Sequence, residues 1–261
     1  MSFNVIGATA VAASVLAFAV TCKYLRTRPK SLRLALFAFF SLLAVPSLLF
    51  VVYYLHVLPE LAWFYTLRSW NGTEFLVIFL GCAAGAAASL LPRLLLGVPL
   101  FGLLALAVVP YIKPLIGPLP DDLFQERWQG DVCLQSTAST CGPASVCTIV
   151  KRLGGNPSER TAARAAFSYE SGTEAWYLAR YIRQQGFVPR FDFRETFTPS
   201  VGLPAVVGVR IGSVGHFIAV LAVSEGQITF ADPLRGEERL SIAEFQRRYA
   251  FTGFHMVISK A

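Results

Sequence analysis

Charged side chains are scarce in this sequence: 15% of its 261 residues are charged against 54% hydrophobic. Soluble domains usually carry about a quarter charged residues, so one ordinary soluble domain is excluded. Acids are rarest in the first half, where only Glu60 and Glu74 precede Ile112, alongside seven Lys or Arg; 14 acidic and 16 basic residues follow from Lys113 onward. Histidine occurs three times, and the five cysteines include no Cys-x-x-Cys pair. The sequence therefore offers no metal site, His255 in a β-type run reads as structural, and nothing calls for a cofactor. No basic patch interleaved with aromatics occurs in the second half, so despite a net charge of +7 no nucleic acid is expected as a partner. No internal repeat and no low-complexity segment is present.

What is there divides into two unlike halves. Residues 1–22, 34–58, 75–92 and 94–112 contain no Lys, Arg, Asp or Glu, and each is about long enough to cross a bilayer as a helix at roughly 17–25 residues per span. The first lacks the basic residues that open a secretory signal, and reads as a retained span. Residues 1–112 are thus expected to form an all-α transmembrane region of about four spans, with the lipid bilayer as partner. The cluster Lys23, Arg26, Arg28, Lys30 and Arg33 should stay in the cytoplasm. That places the 59–74 loop and, after four spans, the C-terminal half on the periplasmic or outer face of the inner (plasma) membrane. An odd span count would reverse that side. Gly81 and Gly85 lie four apart, as do Ala84 and Ala88, which allows another helix to approach closely. His56 reads as interfacial, and Cys22 and Cys82 as membrane-buried thiols.

Residues 113–127, with Pro114, Gly117, Pro118 and Pro120, read as a linker, and a domain covering residues 128–261 follows. Within it, Pro143 to Leu153 reads as a helix stopped by Gly154-Gly155. Ser158 caps a second helix to about Phe167, and Thr173 a third ended by Gly186. β-type runs then cover Val188–Phe193, Ala205–Arg210, His216–Val223, Gln227–Ala231 and Thr252–Ile258. Ser241 to Glu244 has the form of a capping box opening one more helix. Helices first and antiparallel strands after make an α+β fold.

Four residues in this half fit one chemistry. Cys141 stands immediately before an apolar helix with Pro143 in its first turn, where unpaired amides and the macrodipole favour a thiolate. Gln135, six residues upstream, can donate its amide to an oxyanion beside the Cys141 N–H. His216 opens a strand, and Asp232 closes the next across the Ser224-Glu225-Gly226 loop. If Val223 pairs with Gln227, Asp232 lies opposite Ile218 and one diagonal step from His216 on the same face, whereas a slip of one residue separates them. In the favourable register the carboxylate holds the imidazole while its other nitrogen takes the cysteine proton. Cys133 and Cys147 flank this segment and could form a disulfide or remain two buried thiols.

On these residues the second half resembles the bacteriocin-processing cysteine peptidases, papain-like domains that remove double-glycine leader peptides and often precede peptide-exporting ABC transporters. The resemblance runs from Cys133 to Phe254. It rests on Leu134-Gln135, Thr140-Cys141-Gly142-Pro143-Ala144, Gly154-Gly155, Leu203-Pro204-Ala205, Gly215-His216-Phe217, Asp232-Pro233 and the Leu240 to Phe245 segment. It implies a papain-like cysteine peptidase fold, with Cys141 as nucleophile, His216 as general acid and base, Asp232 orienting it, and Gln135 as oxyanion donor. Two features differ: Thr140 stands where many members have Asp, and a membrane region precedes the peptidase segment with no ATPase after it. The expectation is a membrane-anchored cysteine peptidase acting on a peptide or protein, with a membrane protein partner left open. Acyl transfer on the same residues and a leader-binding module without catalysis are the alternatives.

Overall fold

The computed structural model describes residues 4–197 and 202–261; Met1 to Phe3, where the first charge-free stretch begins, lie outside them. The chain forms two compact units.

The helical unit comprises residues 4–59 and Asn71–Leu115. Along the chain α1 (Val5–Leu25), α2 (Lys30–Leu43) and α3 (Val45–Tyr54) come first, then α4 (Ala62–Arg68), which belongs to the other unit, then α5 (Val77–Leu90), α6 (Gly97–Val108) and the single turn α7 (Lys113–Ile116). Among the described residues three helical stretches, Val5–Leu25, Thr73–Leu90 and Arg93–Tyr111, are long and apolar enough to cross a membrane. The pair α2 and α3 adds a fourth if the two count as one span bent by 44°. Pro46 in the first turn of α3 accounts for the bend, since its ring cannot continue the preceding helix. The small residues of α5 work within this unit: a Cβ on Gly81 would collide with the Ser14 carbonyl, and one on Gly85 would lie 3.1 Å from the Phe18 Cα.

The mixed unit consists of Glu60–Trp70 and Ile116–Ala261. A hairpin of β1 (Arg127–Gln129) and β2 (Val132–Leu134) leads into α8 (Cys141–Arg152), α9 (Glu159–Ala165) and α10 (Ala175–Gln184). The strands β3 (Phe187–Phe193), β4 (Ala205–Ile211), β5 (Val214–Ser224), β6 (Gln227–Asp232) and β7 (Gly236–Ser241) follow, then α11 (Ile242–Arg248) and β8 (Ala250–Lys260). The six-stranded antiparallel sheet has the order β3-β8-β4-β5-β6-β7. This is the expected α+β class.

Local chemistry explains most boundaries. Gly154 takes φ +94° so that its own N–H and that of Gly155 return to the carbonyls of Lys151 and Val150, closing α8. Ser158 caps α9 by accepting from the Thr161 N–H, and Ser241 and Glu244 form the reciprocal capping box of α11. Thr173 does not cap α10: that helix starts at Ala175 with Glu174 before it, and the Thr173 hydroxyl bonds the Ser168 hydroxyl at 2.6 Å across the intervening loop.

Two features depart from a single cut between membrane and soluble halves. The segment read as a linker is docked from Ile116 onward, with Asp121 paired to Arg164 and the Phe124 carbonyl held by Arg160 at 3.1 Å. Proline-rich composition constrains the backbone without saying whether side chains find partners. More consequentially, α4 completes the core of the mixed unit. Tyr65 sits among Trp176, Phe191, Phe193 and Phe254 with ring centroids 5.1 to 6.2 Å away. Carbonyls at the C-terminal end of α4, which the helix cannot satisfy itself, are capped by cations. Arg180 donates to the Arg68 and Trp70 carbonyls and Arg183 to that of Ser69, each at 2.8 Å. Replacing Tyr65 by Ala is expected to destabilise the mixed unit by about 3–5 kcal/mol, as for other buried aromatics. Urea unfolding of the full chain measures this, and a loss below about 1 kcal/mol would mean that α4 packs there without supporting the fold.

Candidate active site

Cys141 is the first residue of α8, a helix buried from Cys141 through Val150. Gly142 admits the close packing that holds this end in place, since a Cβ there would lie 2.9 Å from Leu178 and 3.3 Å from Phe217. The Ser145 hydroxyl donates to the Phe217 carbonyl at 3.1 Å, tying α8 to β5 next to His216. Cys141 is 8% exposed, whereas Cys133 and Cys147 are fully buried.

The hairpin that carries His216 and Asp232 reaches the right register by an unexpected route. Its loop has two residues, not three: Ser224 pairs with Gln227, and Glu225 and Gly226 both take positive φ in the tight turn. Continued unchanged, that register would set Asp232 opposite Ala219, on the wrong face. A bulge at Leu221 shifts the pairing by one, giving Val220 with Phe230 and Ala219 with Ala231, so the next step sets Asp232 beside Ile218. One extra residue in a strand flips every side chain beyond it. The two side chains then meet, with His216 Nε2 2.8 Å from Asp232 Oδ1.

Asp232 is fully buried. Besides His216 it is held by the Leu234 N–H at 2.9 Å and by the Tyr249 hydroxyl at 2.7 Å. Burial pushes its carboxyl up, but the bonds from His216, Leu234 and Tyr249 together with the imidazolium charge outweigh this and hold it below the ordinary value. For His216, burial disfavours the charged ring, yet hydrogen bonds to Asp232 and Cys141 and the charges of both raise it to about 9. With Nε2 on Asp232, Nδ1 is the remaining ring nitrogen of His216, and Cys141 is near enough to act on the imidazole's proton affinity. Tyr249 had no signal in the sequence: it is the residue after α11, and only the fold brings its hydroxyl to Asp232.

Gln135 follows β2, and its N–H donates to the Pro233 carbonyl at 3.0 Å, which joins it to the turn after Asp232. Its side-chain Nε2 donates to the Thr137 carbonyl at 2.7 Å, while Oε1 is buried without a partner among the described residues. Thr140 braces the loop: its hydroxyl accepts from the Thr137 N–H at 3.1 Å and donates to the Thr137 carbonyl at 3.2 Å. The structure therefore pairs His216 directly with Asp232, keeps Cys141 near enough to raise the proton affinity of the imidazole, and anchors Gln135 next to the turn that follows Asp232.

Residues 129–261 match the Peptidase C39 family. The chain belongs to that family. Members are cysteine peptidases. Among curated relatives, an uncharacterized protein of Methanothermobacter marburgensis is 32% identical over 126 residues, covering 48% of this chain and 86% of the relative. The probable functional amyloid protease FapD of Pseudomonas aeruginosa is 26% identical over 133 residues, covering 47% of this chain and 58% of its own. Among solved structures, the peptidase domain of Streptococcus ComA, a bifunctional ABC transporter involved in quorum sensing, aligns at TM-score 0.44 and 22% identity over 49% of this chain and 96% of that domain. A double glycine motif protease from an AMS/PCAT transporter, in complex with the leader peptide, aligns at TM-score 0.43 and 18% identity over 50% and 91%.

The five cysteines are unbridged in this C39 family member, so Cys133 and Cys147 are two buried thiols; burial first, and then Cys133, push the Cys147 thiol well up. His255 is buried, with its ring on Phe197 and Phe251. Burial, first among its influences, lowers its proton affinity, in keeping with a structural role.

Folding raises His216 from 6.5 to about 9, so its protonation stabilises the fold fully below about pH 6.5 and ceases to do so as pH rises through 9. The melting temperature of the native protein is expected to fall across that window relative to a His216→Gln variant. Parallel melting curves for the two proteins from pH 6 to 9.5 would contradict the assignment.

Proposed function

We propose that the protein is a membrane-anchored cysteine peptidase that cleaves a peptide bond in a peptide or protein substrate through an acyl-enzyme on Cys141. The observation that supports this best is the buried His216–Asp232 hydrogen bond, with Cys141, the first residue of a buried helix, near enough to raise the proton affinity of the imidazole.

In this reading Nδ1 of His216 has taken the thiol proton before the sulfur attacks the carbonyl carbon, in keeping with its value of about 9. The carbonyl electron pair moves onto oxygen, and that oxyanion is met by the first amides of α8, which have no intrahelical acceptor, and by the Gln135 side chain. When the tetrahedral species collapses, His216 passes its proton to the departing amine. Water then attacks the thioester with His216 again accepting the proton, and the carboxylic acid leaves as the thiol re-forms. Asp232, buried and negative, keeps Nε2 protonated and Nδ1 aimed at sulfur throughout.

Chain tracing supports an outward orientation in this reading. Glu60–Trp70 and Ile116–Ala261 form one compact unit, so both lie on the same side of any bilayer the helices span. The stretches Thr73–Leu90 and Arg93–Tyr111 between them then cross as a pair. With the basic cluster between α1 and α2 held in the cytoplasm, the peptidase unit faces the periplasmic or outer side.

Iodoacetamide is expected to modify Cys141 ahead of Cys133 and Cys147, and Cys141→Ala to reduce substrate processing by about a thousandfold or more. Comparing the membrane and secreted peptides of cells carrying either form identifies the substrate. Equal alkylation of the three thiols, or identical peptide profiles, would overturn the reading. For orientation, a membrane-impermeant biotin maleimide should label a cysteine introduced at Glu225 in intact spheroplasts. Labelling only after lysis would place the unit in the cytoplasm.

A further inference from the structure

Among the described residues, the peptidase unit leaves one carboxylate outside this mechanism with no solvent exposure at all. Glu159, the first residue of α9, is fully buried, and both of its oxygens are directed at a single residue. Oε1 accepts the Ser136 N–H at 2.8 Å, and Oε2 accepts the Ser136 hydroxyl. Ser136 Oγ in turn accepts the Gln125 N–H at 3.0 Å. Removing a carboxylate from water costs several kcal/mol unless donors replace the lost hydration, and here one serine supplies two of them.

The residue so held adjoins Gln135. On its near side the chain is fixed by the bond from the Gln135 N–H to the Pro233 carbonyl, and on its far side by Glu159. One residue further on, the Thr137 carbonyl receives the Gln135 side-chain amide. Fixing Ser136 therefore fixes both the stem of the Gln135 side chain and the carbonyl that orients its tip. One amide hydrogen is held by Thr137, leaving the second for an oxyanion. A donor of this kind works only when held within about 0.5 Å of its productive place.

We propose that Glu159 and Ser136 are positioning residues for the oxyanion pocket, acting through Gln135. This rests on the proposed role of Gln135, so the test separates the two. The probe is acetyl-glycyl-glycinal, whose carbonyl carbon bonds to the Cys141 sulfur while its oxygen takes the carbonyl electron pair and enters the pocket; the thiol proton passes to His216. Iodoacetamide is the control, since it forms a sulfur–carbon bond and expels iodide with no oxyanion. Both are measured on the full chain in detergent for native protein, Ser136→Ala, Glu159→Gln, Gln135→Ala and the Gln135→Ala/Glu159→Gln double variant.

Each single variant is expected to bind the aldehyde about tenfold or more weakly, with alkylation of Cys141 within about twofold of native and the double variant no weaker than Gln135→Ala. Ser136→Ala keeps its backbone bond to Glu159, so it decides the matter should Glu159→Gln fail to fold. If Ser136→Ala and Glu159→Gln bind the aldehyde as native does while Gln135→Ala does not, the positioning role is refuted and the Gln135 reading stands. Unchanged binding by Gln135→Ala, or native protein that takes iodoacetamide but not the aldehyde, removes the pocket and this inference with it. Parallel losses with both reagents would make Glu159 merely structural.

Discussion

A carboxylate with no access to solvent has to be met entirely by protein donors, and the arrangement around Asp232 depends on that requirement. Its partners come from three places: the imidazole on β5, the amide of the turn that follows β6, and the phenol just past α11. Because an unpaired buried charge is so costly, these elements cannot shift independently. The bond between His216 and Asp232 both stabilises the carboxylate and raises the proton affinity of the imidazole, so fold stability and the chemistry of the pair share one cause.

How much of this was legible in the sequence follows from the range of each signal. Glycine stops and serine caps act over three or four residues, and Gly154, Ser158 and Ser241 were readable for that reason. Thr173 was misread because a hydroxyl before a helix can close a loop instead, and only the position of Ser168 decides which. The charged strand β7 was missed, since Gly-Glu-Glu-Arg-Leu-Ser carries no β-type run and is a strand only because β6 pairs with it. Small residues in α5 signalled a close helix approach, but not that α1 was the helix approached.

The proposed catalytic set can be read from the sequence as residue types in a characteristic order, while its geometry cannot. Hairpin arithmetic asked for an odd loop and the chain supplies an even one, with the bulge at Leu221 making good the difference. Strand pairing preserves the sum of the displacements along both strands, so a bulge anywhere between turn and site serves as well as a longer loop. Tyr249 and Glu159 carried no signal at all: each became meaningful only when folding removed it from water beside a residue distant in sequence.

The excursion of α4 away from the helical unit gives the chain a topology that one linker would not. The peptidase unit is joined to the neighbouring segments at Glu60, at Trp70 and at Ile116, so its polypeptide is discontinuous. A cut between Ile116 and Asp121 would sever one strand of this attachment and still leave the unit gripping its own α4 through Tyr65, Arg180 and Arg183. Separating this unit from the helical segments therefore takes two events, a broken peptide bond and an undocked helix.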